Sequence, residues 1–152
     1  TNGFAVCKFT NFKTDGSAGH DSNFPDADFF LMRAAEAYLI YAEADARMNG
    51  GTTTTDGAQY INDVRRRAHA ATRGAYSLRD ICDEWSREFY FEGLRRTTLV
   101  RFGYFGGNVN YNWSWKGGVK NGRNFDAHFN LFPIPSSDLT ANDNLVQNQG
   151  YN

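Results

Sequence analysis

The sequence has few cysteines and prolines, no long apolar run and almost no net charge. Two Cys and three Pro among 152 residues provide neither a disulfide framework nor a zinc-binding cysteine pattern, although one bridge between Cys7 and Cys82 stays open. With 16 Lys and Arg against 17 Asp and Glu, the chain does not resemble a basic nucleic-acid binder. No stretch of about 18 apolar residues is present, so no segment is expected to span a bilayer.

Signatures of catalysis and of cofactor binding are also missing. The three histidines, His20, His69 and His128, share no metal-ligand spacing with one another or with the cysteines. There is no Gly-x-Ser-x-Gly elbow for a serine nucleophile and no Gly-rich phosphate loop. We therefore expect no metal, no cofactor and no acyl-transfer or nucleotide chemistry.

Aromatic residues, glycine and asparagine are plentiful. The 13 Phe, 8 Tyr and 3 Trp, within a hydrophobic fraction of 41%, supply enough apolar surface for a core. Fifteen Gly and 15 Asn predict long irregular segments. The length suits one domain or part of a larger one. Because the chain opens at Thr1 without a Met or an apolar leader, we interpret it as a portion of a longer protein.

Hydrophobic spacing predicts a first pair of helices after an irregular lead-in over residues 1–27, which includes one short strand around residues 5–9. The first helix covers about residues 29–48, begins at Asp28 as N-cap and stops at Asn49-Gly50-Gly51. Its alanine-rich stripe predicts a closely packed neighbour. The second helix is capped by Asp56 and ends near Ala71.

A third helix begins at a capping box formed by Ser77 and Asp80. It is predicted to continue past Gly93 to about Phe102, where Gly103 ends it. An interior glycine costs about 1 kcal/mol relative to alanine, so we expect a tight contact at Gly93.

The rest of the chain is predicted to be irregular. Residues 104–131 form a long loop rich in aromatic residues, Gly and Asn, and residues 131–139 form a Pro-rich entry with a one-turn helix. The sequence therefore predicts a mainly α-helical fold with a lead-in over residues 1–27, a helical scaffold over 28–103, and a loop and tail over 104–152.

The charged residues of the helices allow two interpretations. Glu84, Glu88 and Glu92 share one helix face, as an acid/base pair would require. Acid-first pairs four residues apart favour solvated ion-pair faces instead, each worth about 0.2–0.5 kcal/mol: Asp83 with Arg87, Glu92 with Arg96, Glu43 with Arg47, and Asp63 with Arg67. The run of arginines at 65–67 is likewise interpreted as a helix surface, not a phosphate-binding patch.

Tyr111, Trp113 and Trp115, with several Asn nearby, are the candidate ligand-binding residues. Flat aromatic rings stack on the C–H faces of sugars while amides hydrogen-bond to sugar hydroxyls, so the cluster could bind a glycan. Aromatic side chains in a Gly-rich loop more often pack against their own protein and hold the loop in place. The residues favour this structural interpretation and leave glycan binding open.

Three stretches together resemble the SusD/RagB family: RAAEAYLIYAEA at residues 33–44, EWSREFYFEGLRRTTLVRFG at 84–103, and LFPIPSSDLTANDNLVQNQGY at 131–151. The ending is the most specific of the three. INDVRRRA at 61–68 and WSWKGG at 113–118 also resemble family segments, so the likeness extends from about residue 24 onward. The chain looks like the C-terminal portion of such a protein.

The resemblance implies a surface-exposed lipoprotein of the outer membrane of Bacteroidetes-type bacteria. Such a protein captures glycans and passes them to a TonB-dependent porin of the SusC type, and it is not an enzyme. The implied fold is an α–α superhelix of tetratricopeptide-like helix pairs with irregular loops. Cys7 does not match the lipid-attachment cysteine of the family, so the anchor is expected outside this chain, as are many of the sugar-binding aromatic residues.

Two other functions stay open at this point. One is a helical-repeat scaffold that docks a protein partner through its apolar helix faces without binding sugar. The other is a glycoside hydrolase that uses Glu84 or Glu88, which would require carboxylates at about 5–9 Å across a cleft.

Overall fold

The computed structural model describes Val6, residues 8–107 and residues 111–151. Over these residues the fold is mainly α-helical, as predicted, and its β structure is limited to isolated bridges. Two 3₁₀ turns, Lys116–Gly118 and Ala127–Asn130, interrupt the long loop. The helices are α1 (Ala34–Met48), α2 (Thr55–Arg67), α3 (Leu78–Glu88), α4 (Arg95–Arg101) and α5 (Ser136–Ala141).

The core forms where α1 packs on α2 and where both meet α3. Small residues such as Ala42, Ala46 and Ala58 are buried at this junction beside larger side chains from all three helices. Helices α1 and α2 lie close together at Gly57, where a Cβ atom would lie 2.1 Å from the Asp45 carboxylate. The predicted close neighbour of the alanine stripe is therefore α2.

Helix α1 begins later than predicted, at Ala34. Asp28 is not its N-cap, and the apolar side chains of residues 29–32 are exposed. Arg33 has an extended backbone, with φ −152° and ψ 158°, and its guanidinium donates to Glu88 and Glu92. The extended backbone at Arg33 thus precedes the helix and accompanies ion pairs with residues distant in sequence, which apolar spacing could not indicate.

Helix α2 also differs at both ends. Its N-cap is Thr54, whose hydroxyl accepts from the Gly57 N–H, and not Asp56. It ends at Arg67 rather than near Ala71 because His69 has a left-handed backbone, with φ 54°. The N–H groups of His69 and Ala70 donate back to the carbonyls of Arg66 and Arg65, which is the hydrogen-bond pattern of a Schellman C-cap.

The predicted third helix is two helices, α3 and α4. The capping box is confirmed, since the Ser77 and Asp80 side chains each accept from the other residue's backbone N–H. The helix then breaks between Glu88 and Arg95 because Phe91 and Gly93 both have positive φ, 62° and 78°. A Cβ atom at Gly93 would meet nothing within 4 Å, so the expected tight contact is wrong and glycine serves the left-handed turn.

Two predictions concern residues at the start of the chain. Ala5 and Cys7 lie outside the described residues, and their described neighbours Val6, Lys8 and Phe9 are not in a strand. Cys82 is a buried free thiol. Since Cys7 is not described, a bridge between the two cysteines is not tested.

The helical carboxylates are not on solvated faces. Glu43, Glu84, Glu88 and Glu92 are only 4–7% exposed. Each carboxylate meets two cations: Glu43 meets Arg47 and Arg101, Glu84 meets Arg65 and Arg87, Glu88 meets Arg33 and Arg67, and Glu92 meets Arg33 and Lys8. The solvated-face interpretation is therefore wrong for these residues, which tie separate segments together.

Among the four predicted pairs, only Glu43 with Arg47 forms within the described residues. Asp63 pairs with Arg66 instead, and Asp83 accepts a hydrogen bond from the Tyr111 hydroxyl. The arginine run is a surface only in part, because Arg65 and Arg67 reach across to carboxylates of α3. Spacing along one helix missed these contacts because their partners come from other elements.

Candidate functional site

The aromatic loop is held by short backbone turns around Lys116. The Lys116 N–H donates to the Trp113 carbonyl (3.1 Å), and the Lys116 carbonyl accepts from the Arg123 N–H (3.1 Å). The loop closes tightly at Gly122, where a Cβ atom would lie 2.4 Å from the Trp113 carbonyl oxygen. Only glycine fits there, which accounts for one of the loop's many glycines.

Lys116 is a buried cation inside this loop, with 1% of its surface exposed. Its Nζ donates to the Tyr111 carbonyl (3.1 Å) and lies 4.9 and 5.2 Å from the ring centres of Trp113 and Phe125. No carboxylate pairs with it in the part of the chain that the structure describes. Burial lowers the pKa of its ammonium group, and the two rings supply cation–π attraction in place of a counter-ion.

Tyr111 is buried, with 6% of its surface exposed. One ring face stacks on Tyr104, with ring centres 4.6 Å apart, and the guanidinium of Arg79 lies 5.0 Å from the ring centre. Its hydroxyl donates to Asp83 and accepts from Arg95 (2.8 Å). Burial and the hydrogen bond to Asp83 raise the pKa of Tyr111 to about 12, so its proton stays in place at neutral pH.

Trp113 and Trp115 differ from Tyr111 in their exposure. Trp113 is 40% exposed and Trp115 is 65% exposed. The Trp113 ring also meets the Tyr111 ring edge to face, at 6.2 Å between centres. Trp115 has a left-handed backbone, with φ 68°. Both indoles offer an aromatic surface to solvent, whereas Tyr111 supports the loop from beneath.

The three predicted residues do not all meet at one place. Tyr111 and Trp113 line an open groove of about 850 Å³ between the aromatic loop, α3 and α4, and Trp115 is not among the lining residues. Sequence reasoning missed Lys116 and Asp83, which position the loop. A lysine among aromatic residues in WSWKGG was the available signal for the first, and nothing in the spacing indicated the second.

Two other properties bear on the class of protein. Over the described residues, no group of three His, Cys, Asp or Glu side chains is placed to hold a metal ion. None of the helices described here combines the length and apolarity needed to cross a membrane.

The fold and the loop define an α-helical scaffold that displays exposed tryptophans on a glycine-rich loop. The sequence model of the SusD family matches residues 1–151. The chain belongs to the SusD family.

Two relatives of the chain carry the SusD name, and one of them is named for starch binding. Over 153 residues the chain is 45% identical to the starch-binding protein SusD of Bacteroides thetaiotaomicron, which covers 99% of this chain and 26% of SusD. It is 28% identical over 158 residues to the SusD-like protein P2 of Formosa agariphila, covering 92% of this chain and 29% of that protein. The chain thus spans about a quarter of the length of these relatives.

The solved structure of surface glycan-binding protein A from Bacteroides uniformis has the same fold. It matches with a TM-score of 0.64 and 28% identity over 91% of this chain and 30% of that one. The relatives named here for a function are binding proteins, which agrees with a glycan-binding role for the family.

Proposed function

We propose that the protein captures oligosaccharide at the surface of the outer membrane and delivers it to a TonB-dependent transporter of the SusC type. The observation that carries this proposal is the 45% identity to a starch-binding protein over nearly the whole chain. The protein would be held at the membrane through a lipid anchor outside this chain. It would need no cofactor.

Within this chain, the proposed sugar contacts are the exposed rings of Trp113 and Trp115. Their flat faces suit the C–H faces of pyranose rings. Tyr111 takes part from beneath, because its buried ring contacts Trp113 edge to face and its hydroxyl is fixed by Asp83 and Arg95.

We propose that the protein is not a glycosidase. Glu84 and Glu88, the candidate acid and base, are buried and each is held by two arginines. Both carboxylates therefore serve as ion-pair partners between segments of the chain and do not face an open cleft. Neither residue lines the groove beside Trp113.

A second candidate function is a scaffold that docks a protein partner. Exposed apolar side chains support it: residues 29–32 are 55–87% exposed, and Tyr38, Ile40 and Tyr41 of α1 are 38–52% exposed. Exposed apolar surface can mark a protein interface. Co-purification with a SusC-like transporter in the absence of any sugar affinity would favour this function.

Titration calorimetry of the full-length protein with maltoheptaose and a panel of soluble polysaccharides tests glycan capture. We expect Trp113→Ala and Trp115→Ala to weaken binding roughly tenfold each, the loss of one stacking contact worth about 1.4 kcal/mol. Phe24→Ala is the matched control, because Phe24 is 73% exposed and remote from the loop in sequence. Sugar binding that neither tryptophan variant changes would place the contacts elsewhere.

A further inference from the structure

The groove beside Trp113 has a second aromatic wall, which the sequence did not indicate. Tyr90 and Phe91, in the turn between α3 and α4, line the same groove as Trp113. They are 54% and 58% exposed, and their rings meet edge to face at 4.9 Å between centres. Exposed aromatic surface therefore borders the groove on both the loop side and the helix side.

Phe91 is an unusual residue for its position. Its φ of 62° lies in the left-handed region, which is strained for a residue with a side chain and which glycine adopts freely. The ring does not offset that strain by burial, since more than half of the residue is exposed. Because strained backbone positions cluster at functional sites, the exposed ring of Phe91 beside the groove is a candidate ligand contact.

Polar side chains in the same groove have unused hydrogen-bonding capacity. Asp83, Ser86 and Asn112 all line it. Asp83 accepts the Tyr111 hydroxyl proton through Oδ1, and among the described residues its Oδ2 and the side chains of Ser86 and Asn112 have no hydrogen-bond partner.

The arginines of the groove are already engaged by the protein. Arg95 donates to the Tyr111 hydroxyl and to the Cys82 carbonyl. Arg96 donates to the Phe129 carbonyl and stacks on Phe132, with its guanidinium 3.8 Å from the ring centre. The free polar groups are thus a carboxylate oxygen, a hydroxyl and an amide, a set that suits a ligand rich in hydroxyl groups and lacking charge.

We propose that this groove is a saccharide-binding subsite for a neutral oligosaccharide. The faces of Phe91 and Trp113 stack on pyranose rings, and Asp83, Ser86 and Asn112 hydrogen-bond to their hydroxyls. The volume of about 850 Å³ falls within the usual range for ligand pockets of roughly 300–1,000 Å³. The inference rests on the proposed glycan capture and extends its site from the aromatic loop to the turn between α3 and α4.

Hydrogen–deuterium exchange of the full-length protein with maltoheptaose locates the contact. We expect the sugar to slow exchange in residues 86–96 and 111–115 together. Phe91→Gly should weaken maltoheptaose binding roughly tenfold without loss of stability, because glycine removes the ring and relieves the left-handed backbone. Asp83→Asn, which keeps the shape of the side chain, should weaken binding as well, and Phe24→Ala should not.

Three results would overturn the subsite. Maltoheptaose binding with unchanged exchange in both segments and an unaffected Phe91→Gly variant would remove the groove and leave glycan capture intact. Slow exchange at residues 86–96 before sugar is added, with no change afterwards, would show that protein covers the groove. Failure of the unmodified protein to bind any glycan of the panel would remove the proposed function and the subsite together.

Discussion

At the scale of single residues, the aromatic loop is organised around a charge rather than around a hydrophobic side chain. Lys116 lies between two rings and donates to one carbonyl. A lysine without a counter-ion prefers its neutral form when it is buried. The position of Trp113, and with it the proposed sugar contact, therefore depends on a buried cation whose desolvation costs free energy.

This cost predicts a distinctive pH dependence of stability. The folded pKa of Lys116 lies below its ordinary value of 10.5, so between the two values the unfolded chain binds more protons. Stability should therefore rise with pH from the lowered folded pKa up to about 10.5. Urea unfolding at several alkaline pH values should show that the free energy of unfolding of the wild type increases relative to that of Lys116→Met over this pH range. Parallel curves for the two proteins would contradict the prediction.

The sequence could identify the ring cluster but not the role of each ring. Tyr111, Trp113 and Trp115 are close in sequence and similar in type. Their exposure differs because Tyr104 and Arg79 cover Tyr111, and both of these partners lie outside the short motif. Which ring faces solvent is a property of tertiary packing, which local spacing does not contain.

At the scale of elements, hydrogen bonds at the helix ends determine where the helices begin and stop. The box at the start of α3 was readable because Ser and Asp three residues apart are its sequence signature. The hydroxyl of Ser77 also donates to Asp80 (2.6 Å). Hydrogen bonds from Ser77, with a smaller contribution from Arg73, lower the pKa of the Asp80 carboxyl despite its partial burial.

Ser77→Ala should therefore change both stability and titration. Loss of an N-cap hydroxyl costs about 1 kcal/mol, measurable by urea unfolding. The pKa of Asp80 should rise toward its ordinary value, which NMR titration of that carboxyl can follow. Ser137→Ala, in the short helix α5, is a suitable control, because its hydroxyl makes only a long 3.4 Å contact with Asp138. An unchanged Asp80 titration would contradict this account of the capping box.

The end of α2 offers the opposite test, in which a substitution should stabilise. His69 occupies the left-handed position that glycine fills after α1 and α4, at Gly50 and Gly103. His69→Gly should raise the free energy of unfolding by about 0.5–1 kcal/mol, since glycine adopts this backbone without strain. His69→Ala separates backbone from side chain, because it keeps the strain and removes only the imidazole. Equal stability of the two variants would mean that strain at His69 is negligible.

Helix ends also mark where prediction from sequence stopped. The stops at Gly50 and Gly103 were predictable because glycine signals them. The break between α3 and α4 was not, since Phe91 has no preference for a left-handed backbone and Gly93 was interpreted as a packing contact. The start of α1 was misplaced because apolar residues 29–32 continue the helical pattern although their side chains are exposed.

At the scale of the whole molecule, buried carboxylates join segments that are distant in sequence. Arg33, just before α1, donates to Glu88 at the end of α3 and to Glu92 in the following turn, and its guanidinium lies 4.2 Å from the Phe89 ring centre. Glu43 of α1 similarly holds Arg101 of α4. These links fix the turn between α3 and α4, and hence the Phe91 wall of the groove, relative to α1.

Arg33→Met should therefore destabilise the protein by about 2–3 kcal/mol, because it leaves two carboxylates, each at most 5% exposed, with one cation apiece. Arg66→Met is the matched control, since its pair with Asp63 is half exposed and should contribute less than about 1 kcal/mol. Urea unfolding of both variants measures the difference. Similar losses would mean that the buried network is no stronger than a surface pair.

The dependence of stability on pH in the acid range provides an independent check on the same network of buried ion pairs. Burial raises the pKa of the Glu92 carboxyl, but hydrogen bonds from Arg33 and Lys8 outweigh burial and lower it below its ordinary value of 4.5. Its stabilisation is therefore complete above about that value and is lost as pH falls through the lowered folded pKa. Arg33→Met should flatten this acid-dependent loss of stability. The double variant Arg33→Met with Glu92→Gln should lose less free energy of unfolding than the sum of the two single variants, because it leaves no unpaired charge at Glu92. Additive losses would show that Arg33 and Glu92 act separately and that this pair does not hold the turn that carries Phe91.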